Sequence, residues 1–293
     1  MCENKKILIT GGSGMVGSQI GFGIKPTHRT LDLTRPKTIE KTLDKYRPDI
    51  VLHLAAFTDM LKAERYPKEA YKINVDGTYN LALSCQKRDI YFVYLSTCAV
   101  FNGKKQYPYN EKDVPLPVNV YGKTKWLGEK VVQKIIPKSL IIRTGWLFGG
   151  NSIDKKFVKT CFEKCLRGEL IKATFDRFGS PTYIPDLITK VKQFIDNNTS
   201  GIIHVVNSGQ VSYFEIAKLI KKLTNSHTVI KPVRAKDVES PLLKRGVMEA
   251  LISEKIHLRP WQQALQEYIK LLLFDRNNFV LKPKRAKKYK KSI

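Results

Sequence analysis

Long hydrophobic runs are missing from this chain of 293 residues: no apolar stretch reaches the roughly 18 residues that a membrane-spanning helix needs. The opening MCENKKILIT is no signal peptide either, because its apolar strand is too short and leads straight into a glycine-rich loop, so a reducing cytoplasm is expected. Cysteine is scarce and scattered. Cys2, Cys85, Cys98, Cys161 and Cys165 are odd in number and follow no disulfide framework. Cys161 and Cys165 share a helix face without further ligands, which favours core packing, and no metal is expected. Acidic residues are few, 26 Asp plus Glu against 52 Lys plus Arg, giving a formal net charge of +26. Such an excess invites a nucleic-acid reading. However, Lys282, Lys284, Arg285, Lys287, Lys288, Lys290 and Lys291 crowd the closing KPKRAKKYKKSI, the other positive charges are spread along the chain, and no recognised nucleic-acid module is present. Nucleic acid is therefore expected only through this basic tail, residues 281–293, read as a disordered extension.

What is present is alternation. KKILIT, DIVLHLAAF, IYFVYLSTC and KSLIIRTGWLFG read as buried strands, and TIEKTLDKYRP, AERYPKEAYKINVDGTYNLALSCQKRD, VYGKTKWLGEKVVQKI and DKKFVKTCFEKCLRG read as helices. That order predicts an α/β fold, a Rossmann-type doubly wound parallel sheet wrapped on both faces, with a smaller C-terminal substrate-binding lobe. Residues 1–150 would form the first lobe, with about 183–206 returning to it, and residues 151–182 and 207–280 the second.

Directly after the first strand comes Thr10-Gly11-Gly12-Ser13-Gly14-Met15-Val16-Gly17, with glycines spaced G-x-x-G-x-x-G. Between a strand and a helix this is a dinucleotide loop: a tight turn, a close approach to pyrophosphate, then close helix packing. Only about a dozen residues, SQIGFGIKPTHRT, separate it from LDLTRP, too few for a full helix and a second strand bearing a ribose-reading acid. A shortened element must hold the adenosine end. Lys25, His28 and Arg29 lie where a 2'-phosphate could be neutralised, which favours NADPH over NADH; the alternative is that they are surface charges.

Tyr121 and Lys125, spaced i, i+4, fall one turn apart on one helix face. The ammonium is expected to lower the phenol's pKa, so that Tyr121 exchanges a proton with a substrate oxygen. Ser96, Thr97 and Cys98 end the preceding strand, at the edge where open α/β sheets bind ligands.

Glycine loop, Tyr-x-x-x-Lys and hydroxyl-ended strand together resemble the extended short-chain dehydrogenase/reductases. GGSGMVG, LAAFTDMLKAE, INVDGTYNLA, STCAVFNG, YGKTK, RTGWLFG, FGSPTY and GIIHVVN look like the dTDP-4-dehydrorhamnose reductase family over nearly the whole chain apart from the tail. The resemblance implies reduction of the C4 ketone of a UDP- or dTDP-linked 4-keto-6-deoxy sugar. Tyr121 would donate the proton, Lys125 bind the nicotinamide ribose, and Thr97 or Ser96 hydrogen-bond the ketone. It also implies that Asp32 and Leu33 lie against the adenine, that Ala55 and Ala56 let the backbone approach the cofactor, that Thr58 borders the substrate, that Asn74 kinks its helix, and that the protein is a homodimer through the Tyr121 helix.

Two departures bear on function. Plain reductases usually carry Ser-Thr-Asp-Tyr at the strand end, whereas Ser96-Thr97-Cys98-Ala99 is similar to GDP-fucose synthase and to plant-type epimerase/reductases. That resemblance implies a bifunctional 3,5-epimerase/4-reductase producing UDP-L-rhamnose. Cys98, lowered by nearby lysines, would be the base, and Lys159, or else Lys156, the acid on the opposite face. Leu61 stands where many plain reductases have Asp, which puts their sugar contacts in doubt. The alternatives are a monofunctional dTDP-4-dehydrorhamnose reductase and a non-catalytic NADP-binding regulatory subunit. No residue reads the nucleotide base.

Overall fold

The computed structural model describes residues 5–150 and 153–280, so the basic tail lies outside the described residues. Strand β1 (Ile7–Thr10) runs into the glycine loop, but no α-helix follows: the loop ends in a single 3-10 turn, Gly17–Gln19. This is the shortened element that the spacing called for: the chain turns back at once, and Ile24 pairs with β1. The Ile9 amide donates to the Ile24 carbonyl at 2.8 Å, and the Ile24 amide to that of Ile7 at 2.7 Å. The second half of a doubly wound sheet thus survives on this edge as one bridging residue.

Helix α1 (Pro36–Tyr46) starts on a proline and ends at Arg47 with φ 45°, and it buries Ile39 and Leu43, one turn apart. Strand β2 (Ile50–His53) follows. The long helix expected next is broken: α2 (Met60–Arg65) stops at Tyr66 before Pro67, and α3 (Pro67–Tyr71) continues through a wider π turn, Lys72–Asp76, into α4 (Gly77–Gln86). Asn74 sits in that wider turn. Strand β3 (Tyr91–Thr97) leads to α5 (Val120–Ile135), capped by Asn119, whose side chain accepts from the Gly122 amide at 2.8 Å. Helix α5 packs directly on β3 because Gly122 and Gly128 lack side chains. A Cβ at these positions would meet the Ala99 oxygen at 2.1 Å and the Tyr94 hydroxyl at 2.3 Å.

The chain continues through β4 (Leu140–Thr144), β5 (Leu147–Phe148), α6 (Phe157–Arg167), β6 (Ile171–Thr174), β7 (Phe178–Gly179) and β8 (Thr182–Tyr183). Next come α7 (Ile184–Asp196), β9 (Gly201–His204), β10 (Asn207–Ser208), β11 (Val211–Ser212) and α8 (Tyr213–Leu223). Then β12 (Ile230–Val233), α9 (Ala235–Val238), β13 (Leu258–Pro260) and α10 (Trp261–Val280) complete it.

The central sheet is parallel and ordered β1-β2-β3-β4-β9. Side chains alternate across it. Leu8, Val51, Phe92, Tyr94 and Ile141 pack under α1, α4 and α5, while Ile9, Leu52, Val93 and Ile142 meet Leu187, Val191 and Ile195 of α7. A separate core unites α6, α8 and α10 with the parallel pair β6–β12. This second body stands beyond the carboxyl ends of β3 and β4, and a cleft opens between the two.

Candidate active site

A cavity of about 780 Å³ occupies that cleft, running from the glycine loop across the strand ends to Trp146, Tyr213, Arg245 and Glu249. Gly11, Ser13, Gly14, Met15, Val16, Gly17, His28, Asp32, Leu33, Ala55, Ala56, Thr58, Tyr121 and Lys125 all line it. Arg29 and Lys25 do not. Lys25 lays its alkyl stem over Gly12 and donates its ammonium to the Ile20 carbonyl, so the expected trio of cations at the adenosine end reduces to His28.

The loop needs its glycines for contact as well as conformation. Gly11 has φ 68°, and a Cβ there would meet the Ala55 amide nitrogen at 2.7 Å; at Gly17 it would meet the Gly11 oxygen at 2.4 Å. Gly17 therefore closes the loop on itself, whereas helix packing was expected of it. Below the loop runs a buried polar chain that the sequence did not suggest. The Thr10 hydroxyl lies 2.7 Å from His53 Nδ1 and receives the Ala55 amide at 3.1 Å, and His53 Nε2 lies 3.0 Å from the Thr78 hydroxyl. Burial, reinforced by the Lys125 charge, lowers His53 to about 3, so its imidazole is neutral. Thr78 donates to the Asn74 carbonyl at 2.8 Å, and the Asn74 amide donates to the Thr124 hydroxyl at 2.9 Å and to the Phe57 carbonyl at 3.1 Å. Hydrogen bonds thus link the cofactor loop to the helix that carries Tyr121.

At the strand ends the two candidate hydroxyls part company. Ser96 donates to Glu129 at 2.5 Å, and Glu129 also receives Arg143 Nε at 2.9 Å and its second nitrogen at 2.7 Å; both charged groups are buried. Ser96 is thereby committed to a structural ion pair. The neighbouring Thr97, whose hydroxyl receives the Ala99 amide at 3.2 Å, lines the cavity with Tyr121 and acts to lower that phenol, which makes it the hydroxyl available beside it. The expected lowering of Tyr121 is reversed: burial pushes it up to about 12, Thr97 only partly offsetting this. Lys125 cannot lower it because its ammonium rests over the Tyr94 ring, 3.9 Å from the centroid, and is itself brought down to about 7 by burial, with Glu129 opposing.

Cys98 lines the cavity beside Thr97, yet it is not the activated thiol expected. Burial raises it to about 12, the Glu249 carboxylate adds to the rise, and no lysine acts on it; its sulfur lies against Gly145, where a Cβ would come within 2.7 Å. Lys159 stands outside the cavity, 3.9 Å from Glu163 and over the Phe162 ring, whereas Lys156 is on the wall. Sequence reasoning missed the far wall. Trp146, at φ 46°, stacks on Tyr213 with centroids 3.9 Å apart and donates to Glu249 at 2.8 Å; Glu249 is held bidentately by Arg245 at 2.5 and 2.8 Å. Trp146 sits in a segment already singled out, but nothing in the spelling of RGVME announces that its Arg and Glu meet across a non-helical turn.

Comparison with known proteins gives this geometry a context. The family model described as the RmlD substrate binding domain matches residues 5–274. The chain is 32% identical over 276 residues to the spore coat polysaccharide biosynthesis protein SpsK of Bacillus subtilis, covering 90% of this chain and 96% of that one. It is 31% identical over 281 residues to dTDP-4-dehydrorhamnose reductase of Mycolicibacterium smegmatis, covering 90% and 85% respectively. Among solved structures, dTDP-4-dehydrorhamnose reductase of Bacillus anthracis in complex with NADP is similar with a TM-score of 0.86 and 29% identity, over 91% of this chain and 99% of that one.

Proposed function

The chain belongs to the RmlD substrate-binding-domain family of dTDP-4-dehydrorhamnose reductases, and from that premise we propose that it is an NADPH-dependent reductase of a nucleotide-linked 4-keto-6-deoxyhexose. The observation that carries the reading is the Tyr121–Thr97 hydroxyl pair on the wall of one cavity that also contains the glycine loop. The residues present suit the cofactor. Gly11 and Gly17 leave no room for side chains in the cradle, the loop backbone from Ser13 to Gly17 faces the cavity, and His28 offers an imidazole on the wall that a 2'-phosphate could meet. Ala55, Ala56 and Leu33 would flank it and Lys125 would reach its ribose. Bound there, the nicotinamide supplies hydride chemistry.

The chain's own part is proton delivery. A phenol raised to about 12 is fully protonated at neutral pH, which is the form an acid needs to neutralise the oxygen of a ketone as it becomes an alcohol. Thr97, on the same wall beside that phenol, can hold the same oxygen, so two donors converge where charge develops. Tyr121→Phe is expected to lower kcat by about 10²–10⁴-fold while NADPH still binds. Full activity in that variant, measured as NADPH oxidation with a dTDP- or UDP-linked 4-keto sugar, would sink the reading.

A second reading, 3,5-epimerisation of the same sugar on the way to UDP-L-rhamnose, is favoured by one observation: Cys98 lines the cavity next to the two hydroxyls. Against it stand the raised thiol and the removal of Lys159 from the wall. Incubation with the 4-keto sugar in heavy water without NADPH decides. Deuterium at C3 or C5 that Cys98→Ala abolishes would establish it, and its absence in the wild type would leave the reductase alone.

A further inference from the structure

Six ionisable side chains other than tyrosine and cysteine line the cavity: His28, Asp32, Lys125, Lys156, Arg245 and Glu249. Four already have partners. Asp32 receives the Thr34 amide and hydroxyl and pairs with Arg35 at 3.4 Å. Lys125 is buried beside Glu129 on the Tyr94 ring. Arg245 and Glu249 hold each other, and Trp146 completes the carboxylate. The remaining two are His28, which lines the wall with Leu31 and Leu33, and Lys156, which directly precedes Phe157 and Val158 and, among the described residues, has no ion pair.

A nucleotide-linked sugar brings a diphosphate that carries about two negative charges, and the cavity must meet them. Arg245 already faces two carboxylates, holding Glu249 through Nε and one terminal nitrogen and standing 3.4 Å from Glu239 through the other, so it brings no unbalanced positive charge to a diphosphate. In the run Asp154-Lys155-Lys156-Phe157-Val158-Lys159, Lys155 is off the wall and Lys159 is turned to Glu163. Resting on the reductase reading, the geometry points to Lys156 as the residue that receives the diphosphate of the sugar nucleotide and so selects nucleotide-linked sugars over free ones. The side chain is exposed and reaches in from the rim, so the contact is a screened charge pair rather than a buried one.

The test is calorimetric titration of dTDP and of UDP into the full chain, with NADPH titrated separately, for wild type, Lys156→Gln, Lys156→Arg and Lys159→Gln. Lys156→Gln should weaken both nucleotides about tenfold and flatten their salt dependence, Lys156→Arg should keep most of the affinity, and Lys159→Gln should match wild type, all with NADPH affinity unchanged. Unchanged nucleotide binding in Lys156→Gln overturns the assignment. So does an equal loss of NADPH affinity, which would move the lysine to the cofactor, or a loss of deuterium exchange at the sugar with nucleotide affinity intact, which would make it a proton donor. A wild type that binds NADPH but neither nucleotide would withdraw the substrate reading itself, and this assignment with it.

Discussion

Replacing Glu129 with Gln tests the ground on which the Tyr121 helix stands. Glu129 and Arg143 are 1% and 2% exposed, and the carboxylate receives three hydrogen bonds, from Ser96 and from two nitrogens of Arg143. The remaining guanidinium nitrogen already lacks a partner, and the guanidinium carbon lies 5.2 Å from the centre of the Phe101 ring. Removing the negative charge therefore strands a buried cation with nothing to turn to, a situation worth about 3–5 kcal/mol of lost stability. A chain of this kind has on the order of 5–15 kcal/mol in all, so the loss should be plain in urea denaturation as a lower midpoint with unchanged slope. Glu129→Leu combined with Arg143→Met removes both charges and should recover most of the loss, because a buried pair exchanged for apolar bulk is often neutral. A second consequence is chemical. Glu129 is what opposes the fall of Lys125, so Glu129→Gln should push that lysine further below about 7 and make it neutral at physiological pH. A single variant within about 1 kcal/mol of wild type, or a double variant worse than the single, would refute the reasoning.

Exchanging the two strand-end hydroxyls should separate their roles. Thr97→Val is expected to cost about 10²-fold in kcat and to raise Tyr121 further, whereas Ser96→Ala should show mainly as lost stability through Glu129. Equal kinetic effects would mean that the assignment of Thr97 is wrong. His28→Ala should raise the Kd for NADPH several-fold and leave NADH unaffected, since its imidazole is the basic side chain on that part of the wall; parallel losses would point to the shared part of the dinucleotide. His53 is held near 3 in the folded chain against 6.5 unfolded, so the unfolded chain binds more protons between those values and stability falls as pH drops through them, by on the order of 5 kcal/mol when complete. In His53→Asn the slope of unfolding free energy against pH should flatten across that window, and an unaltered slope would show that His53 does not titrate as its burial requires.

The strands, the Tyr121–Lys125 pair on the cavity wall and the cleft were legible because they depend on local pattern. Apolar runs of strand length gave β1 to β4, the i, i+4 spacing placed Tyr121 and Lys125, and hydroxyls at a strand end had to face the cleft. What stayed hidden depended on partners far along the chain. Ser96 could be told from Thr97 only once Glu129 and Arg143 were seen beneath it, at separations of 33 residues and, from Glu129, 14. The direction of both misjudged shifts has the same origin. Counting lysines near Tyr121 and Cys98 suggested lowered values, but a charge counts by where its end group lies. Lys125 rests on Tyr94, Lys159 on Glu163, and burial then decides in the other direction.

The shortened adenosine end changes how the cofactor loop is held in place. In a full dinucleotide fold the helix behind the glycines orients the loop and adds the positive end of its dipole. Here a single 3-10 turn offers neither length nor dipole. The loop is fastened from the sheet side instead: Ile24 pairs with β1, Thr10 is tied to His53 and to the Ala55 amide, and Gly17 folds against Gly11. Those ties run on through Thr78 and Asn74 to Thr124, one residue from Lys125. One continuous set of hydrogen bonds therefore joins the glycine loop to the helix that carries Tyr121. In exchange for a helix that would have oriented the loop alone, the chain has a hydrogen-bonded network from the glycine loop to the Tyr121 helix, and a neutral buried histidine is the joint between them.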